Sequence, residues 1–390
     1  MAGIAAAHHL AVRAGLSRIL LVDPRDPLSL TSSKGTEAYR NYWPGPDDTM
    51  ARFMDRSIDL LEELDRDSRQ AFELNRRGYV FLTADVAEAE RLHAHAGPTA
   101  EFVGEPRTIL QRYPFITDRA RAMLHVRRAG FVNASKLGQH LLELSCARGI
   151  EVIRDEVAGL IVENGRFVAA TLASGSRIDA RVFVLAAGPL LAEWTDRLNL
   201  DVPVVNELHG KISFEDADAV IPRDAPLMIW NDAVDLGPLG MFPPAVHFRP
   251  RGAQSILGIW TYDTRIERPT FPPVFPHDYG EIVMRVLAVM IPGLDKYVQR
   301  GMKVIVDGGY YCKVPDNRPL IGPTSIDGVF VLGALSGYGI MASQAAADLL
   351  ATYILDQPRP DYAPAFHPAR FQDPAYQRVL ATLDSRSGQL

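Results

Sequence analysis

Apolar residues recur along this chain with two spacings, the near-four-residue period of a helix and the two-residue period of a strand, and their order predicts the architecture. Residues 4–14 are alanine-rich and helical in pattern until Gly15 stops them, and 19–22 is a short aliphatic run that ends at Asp23. This is the helix-then-strand half of a βαβ unit. The apolar strand and glycine-rich turn that precede such a helix are not in the sequence, where Met1 falls inside the expected turn. Pro24 and Pro27 punctuate a polar loop through residues 31–36, and a long amphipathic helix follows, with Met54, Ile58, Leu61 and Leu64 on its apolar side.

From residue 76 the pattern changes. A strand is predicted over 78–83, then a charged surface helix, and the earlier pattern returns with a helix over 135–148. Strands follow at 151–157, 160–163, 168–172 and 182–185, and the turn pairs Asn164-Gly165 and Ser174-Gly175 fold the middle ones into a small antiparallel meander. Residues 205–305 form a second block of alternating segments, with a proline-rich loop at 269–276 and a helix over 279–291. The last part resumes the pattern of the first, with a strand over 328–332, a Gly-Tyr-Gly loop, and an alanine-rich helix over 341–355. Beyond Pro358 no period is visible, which reads as a packed or trailing extension. One architecture is therefore interleaved with another.

Composition narrows the class. A chain of 390 residues exceeds the size at which one core keeps growing, so two domains are expected. With 47% hydrophobic and 23% charged residues the composition is that of a globular protein, and a net charge of −6 argues against a nucleic-acid partner. Cys146 and Cys312 are far apart and form no CxxC, so neither a disulfide framework nor a metal cluster is indicated, and a cytoplasmic setting is expected. Residues 1–12 are apolar but interrupted by His8 and His9, and are not read as a signal peptide. The uncharged stretch 328–347 holds four glycines and is read as strand, loop and helix, not as a membrane span.

Three places carry candidate chemistry. Gly3 and Asp23 have the spacing of the last glycine of a dinucleotide-binding loop and the acid that takes a ribose hydroxyl, although a helix after a glycine and an acid in a proline turn would give the same residues. The run Val184-Leu185-Ala186-Ala187-Gly188 ends a strand on small residues, as needed where backbone closely approaches a ligand. The third is Pro315-Asp316-Asn317-Arg318-Pro319-Leu320-Ile321-Gly322-Pro323, followed by Leu335-Ser336-Gly337-Tyr338-Gly339 opening a helix. Such a turn presents free N–H groups and the positive end of the helix dipole.

In order and spacing these segments resemble the glycine oxidase, D-amino-acid oxidase and sarcosine oxidase superfamily of FAD enzymes. The resemblance covers most of the chain. It implies that Gly3, Asp23, Ser32, Ser33, Val157, Ala187, Gly188, Ser336, Gly337, Gly339 and Ile340 hold the cofactor, with Cys312 offset from the segment where some relatives attach flavin, so that FAD is bound non-covalently. The implied fold is α/β: a Rossmann-type FAD-binding domain, lacking its first strand, from residues 1–75, 131–204 and 306–390, and a substrate domain with a mostly antiparallel sheet from 76–130 and 205–305. With the loop present only from Gly3, either the true start lies upstream of Met1 or weak retention of FAD is expected. The implied reaction is hydride transfer from a carbon beside an amine nitrogen to the flavin, giving an imine that water hydrolyses, with oxygen or another electron acceptor completing the cycle.

On the substrate side, Arg40 is similar in position to the arginine that holds a substrate carboxylate, with an ion pair to Glu37 as the alternative. The resemblance implies that Tyr338 packs over the flavin ring or reaches the substrate, with packing alone as the expected role. Met341 stands where sarcosine oxidases carry a second carboxylate-binding lysine, and Arg265 where they carry a lysine that promotes reaction with oxygen, which leaves oxidase and dehydrogenase both open. His209 and Lys211 line a pocket or alternate on an edge strand, and Tyr262, Trp230 and Trp260 are pocket or core aromatics. Two other readings stay open: a flavin-binding or apo protein without turnover, and an enzyme acting on a larger amine.

Overall fold

Strand-forming residues from two separated stretches of the chain meet in one eight-stranded sheet. The computed structural model describes residues 1–45 and 47–381. Across the sheet the order is Ile305–Lys313, Val205–Glu215, Ser255–Ile259, Val246–Arg251, Leu227–Trp230, Tyr79–Thr83, Ala122–Val126 and Ala100–Val103. Every neighbouring pair is antiparallel except Leu227–Trp230 with Tyr79–Thr83. A mostly antiparallel second sheet was expected and is present. Ile305–Lys313 pairs along its whole length with Val205–Glu215, so the large sheet runs across the position 305/306 at which a division was expected.

Strict alternation gives this sheet two different faces. Ile212, Phe214, Met228, Trp230, Val246, Phe248 and Ile256 point to one side, where they pack on the helix Tyr279–Met290 through Val283, Val286 and Leu287. Burying each of these side chains contributes roughly 1.5–3 kcal/mol, so this layer is the larger core. The other face carries Tyr79, Phe81, Lys211, His247 and Arg249, and it confronts the rest of the molecule.

That remainder is built on short parallel pairs. Leu20–Val22 runs parallel to Glu151–Ile153, and Phe183–Leu185 runs parallel to Val329–Gly333, which also pairs with Leu320–Pro323. Strands Val157–Glu163, Arg166–Leu172 and Arg177–Asp179 form the expected meander, and Asn164 and Gly165 both adopt positive φ, as a tight hairpin turn requires. The expected continuous strand 151–157 breaks after Ile153, where Arg154 turns out to pair with Asp26.

Helix Gly339–Ile354 crosses Thr49–Asp67 and Ala2–His8 with Ala342, Ala345 and Ala346 at the contact, where small side chains let the backbones approach. Phe53, Met54, Ile58 and Leu61, the apolar side read from the sequence, fill the space beside them. Ser57 completes the seam: its hydroxyl donates to the Met341 carbonyl and accepts from the Ala345 N–H at 3.2 Å. The helix expected over 4–14 is α-helical only to His8 and widens to a π turn over His9–Arg13, which sets His9 against Gln344 at 3.3 Å and Asp348 at 3.6 Å. The segment after Pro358 is packed: Phe366 lies on Phe53 at 4.5 Å, and Arg370 holds Asp316 through two bonds of 2.7 and 3.0 Å. Residues 382–390 of the expected FAD-domain segment lie outside the described residues. Among the described residues no helix is long and apolar enough to cross a membrane.

Candidate active site

The chain leaves three short strands, each a member of a parallel pair, at their carboxyl ends into one cleft, the position where open α/β sheets bind ligands. Asp23 follows Leu20–Val22, Ala186 to Pro189 follow Phe183–Leu185, and Ala334 to Gly337, Gly339 and Ile340 follow Val329–Gly333. Residues 28–32 and 35–38 and the strand residues Tyr310, Tyr311 and Cys312 close the other side. The cleft is open to solvent along one side.

Its chemistry suits an anionic dinucleotide. Helix Gly339–Ile354 begins at the cleft with no side chain capping its first turn, so its N–H groups and dipole end face the free space. Ser336, at positive φ, carries a buried hydroxyl with no hydrogen-bond partner among the described residues, an orphan that a ligand would satisfy. Gly337 tolerates no side chain, since a Cβ there would stand 2.4 Å from the Tyr311 ring. Tyr311 in turn is held by His209, stacked on it at 3.8 Å, while His209 bonds Thr261 at 2.9 Å and Glu207 at 3.2 Å. Cys312 lines the cleft as a buried thiol whose pKa burial pushes up to about 12.

The loop over residues 28–38 is fastened to the large sheet by charge. Lys211 Nζ donates to the Ser33 carbonyl at 2.9 Å, Lys34 pairs with Asp307 at 2.8 Å, and Thr31 donates to the Tyr310 carbonyl at 2.9 Å. Burial lowers the Lys211 pKa to about 8, against the pull of Glu37 and Asp307. Arg249 reaches the same loop, donating to the Thr36 carbonyl and, at 2.9 Å, to Glu37.

Arg40 ends the strand Ala38–Arg40, which leaves the cleft wall and pairs with Ala129–Phe131. Its guanidinium is buried over Trp43 at 4.7 Å and Tyr79 at 5.7 Å. Trp43 meets Tyr338 edge to face at 5.1 Å, so Arg40 and Tyr338 share one aromatic wall. Tyr338 donates to the Asn317 carbonyl, and burial raises its pKa far above the usual phenol range. Glu37, the nearest acid in sequence, is turned to Arg249 instead of Arg40.

Of the residues read from the sequence, Asp23, Ser32, Ala187, Gly188, Ser336, Gly337, Gly339 and Ile340 line the cleft together. Gly3 lies just behind it, a Cβ there being 3.5 Å from Ala186, so the first helix packs closely on that turn. Ser33 presents its carbonyl to Lys211 and its hydroxyl to the Leu28 carbonyl. Val157 begins the meander and packs with Phe167, away from the cleft. Arg265 is half exposed and paired with Asp263 at 3.1 Å, and Tyr262 stacks on Tyr279 at 5.7 Å on the helix-covered side of the sheet, so neither joins Arg40. Trp230 and Trp260 belong to that same core. Tyr79, His247, Arg249 and Tyr311 were not singled out from the sequence. The alternation His247-Phe248-Arg249 was the available signal, and it reads equally as a solvated face.

Residues 1–353 match the family model of FAD dependent oxidoreductases, and the chain belongs to that family. Among solved structures it is similar to L-proline dehydrogenase from P. horikoshii, with 18% identity, a TM-score of 0.79 and 95% of each chain covered. It also resembles glycine oxidase from Geobacillus kaustophilus, at 16% identity and TM-score 0.79, with 94% of this chain and 95% of that one covered. Iminodiacetate oxidase from Chelativorans sp. BNC1 is similar at 19% identity and TM-score 0.76, covering 94% of this chain and 96% of that one. At such identities the likeness shows the fold. No curated protein matches the chain.

Proposed function

We propose that this oxidoreductase removes hydride from the carbon beside the nitrogen of a small amine that bears a carboxylate, leaving an imine that water hydrolyses. The observation that carries this reading is Arg40, a guanidinium buried in an aromatic wall at the end of a strand that leads out of the cleft. Its Nε donates to the Tyr42 carbonyl at 3.1 Å, and a guanidinium held in this way suits a carboxylate, whose hydrogen bonds burial among Trp43, Tyr79 and Tyr338 would strengthen by excluding water. The names of similar structures, an amino-acid dehydrogenase and two amine oxidases, point the same way.

FAD, bound non-covalently, would supply the hydride acceptor. Asp23 and Ser32 would meet its ribose and phosphate end, Ala187 and Gly188 would let backbone approach it, and Ser336 with the first turn of Gly339–Ile354 would stabilise negative charge. Non-covalent attachment accords with Cys312, because a thiol with a pKa near 12 is a poor nucleophile. The partner that reoxidises the cofactor is oxygen or another acceptor.

Anaerobic titration of the FAD-loaded protein with N-methyl and D- and L-amino acids tests the proposal. Bleaching of the oxidised flavin spectrum by a carboxylate-bearing amine supports it. An unchanged spectrum across the panel removes the substrate assignment, and protein that stays colourless after incubation with FAD favours a chain without turnover.

A further inference from the structure

The turn over residues 314–318 is the covalent joint between the two sides of the cleft. Before it runs Ile305–Lys313, which lines the cleft from the large sheet with Tyr310, Tyr311 and Cys312. After it runs Leu320–Pro323, paired with Val329–Gly333, whose last residues line the opposite side. The turn closes with the Asn317 N–H on the Val314 carbonyl at 2.8 Å, and Asn317 itself takes positive φ. Its carbonyl accepts the hydroxyl of Tyr338, which stands between the cleft residues Gly337 and Gly339.

Both flanks of Asn317 are held from the C-terminal segment. The Asp316 carboxylate, in a residue only 3% exposed, accepts from Arg370 Nε at 2.7 Å and Nη2 at 3.0 Å, from the Tyr376 hydroxyl, and from the Arg318 N–H at 3.0 Å. Arg370 Nη2 also donates to the Arg318 carbonyl at 2.9 Å, so one guanidinium spans residues 316 and 318. Phe366 and Phe371 already anchor this segment in apolar clusters. A buried ion pair adds little stability over apolar side chains of similar size, because desolvation offsets its attraction. What a planar guanidinium with several fixed donors supplies is direction.

We infer that Arg370 is a positioning residue for cofactor binding: by gripping the turn at Asp316 and Arg318 it aims the Asn317 carbonyl at Tyr338, and so holds the turn Ser336–Tyr338 and the start of helix Gly339–Ile354 in place for FAD. The inference rests on the cleft being the FAD site and on nothing about the substrate.

Titration of FAD into the full chain, followed by difference absorbance, tests it, with near-UV circular dichroism confirming that each variant is folded. Arg370→Gln and Tyr338→Phe are each expected to weaken FAD binding roughly two- to ten-fold, the span of one hydrogen bond. The double variant should bind no more weakly than the poorer single variant, since both act through the same carbonyl. Unchanged affinity in a folded Arg370→Gln, even with lowered stability, makes the clamp purely structural and overturns the inference. Losses that multiply in the double variant overturn it as well. Should Arg370→Gln fail to fold, Tyr376→Phe removes a single bond to Asp316 and enters the same cycle with the same outcomes. An unaltered chain that takes up no FAD removes the reading of the cleft, and this inference with it.

Discussion

The guanidinium of Arg249 donates to the carboxylate of Glu37 at 2.9 Å, and both side chains are almost wholly buried. This pair joins the large sheet to the loop that walls the cleft. Removing Arg249 leaves the buried Glu37 carboxylate to the more distant Arg251 at 4.0 Å, so Arg249→Leu is expected to lower stability by up to about 3–5 kcal/mol. Glu37→Gln combined with Arg249→Leu should recover part of that loss. Denaturant midpoints of the single and double variants check both expectations, and a single variant as stable as the parent would contradict them.

Arg40 and Arg265 make opposite predictions. Arg40→Lys replaces the two-pronged donor with a point charge, so affinity for carboxylate-bearing substrates or ligands should fall roughly ten- to a hundred-fold. Arg265 is half exposed and engaged with Asp263, and Arg265→Ala should change the same affinity by about two-fold or less. Dissociation constants of the two variants, measured side by side, decide the matter.

Gly337→Ala is expected to abolish FAD retention. The added methyl would meet Tyr311 at 2.4 Å, and Tyr311 cannot retreat because His209 is stacked behind it at 3.8 Å. Gly97→Ala meets nothing within 4 Å and serves as the control. The readout is flavin absorbance remaining after incubation with FAD and gel filtration.

Acid should destabilise the fold well before its carboxylates titrate. Burial depresses His8 to about 3, with His9, Arg13 and His140 adding to it, and depresses His247 to about 4. In the unfolded chain both return to about 6.5, so between these values the unfolded state binds more protons and stability falls as pH drops. The expected result is a Tm that declines from pH 6.5 to pH 4, with a shallower decline in His8→Gln. A flat Tm across that interval would contradict the assignment of buried neutral rings.

Much of the architecture was legible because it is written in short windows. The helical period of Met54, Ile58, Leu61 and Leu64, the Asn164-Gly165 hairpin, and the glycines around Tyr338 each define a local conformation, and all are found as read. Local reading failed at the π turn at His9, where the distant partners Gln344 and Asp348 meet the ring, and at the strand break after Ile153, for which no partner accounts.

The order of elements, the interleaving of two architectures, and the glycine, small-residue and acid positions that line the cleft follow from the residues alone, since these depend on propensity and spacing within a few positions. Folding in three dimensions had to settle that Glu37 belongs to Arg249 and not to Arg40, that the large sheet extends to Lys313, and that Arg265 faces solvent. Glu37 and Arg249 are 212 residues apart. Alternation along a strand says which residues share a face, whereas strand register and the layer laid over that face say which charges meet and which lose their water.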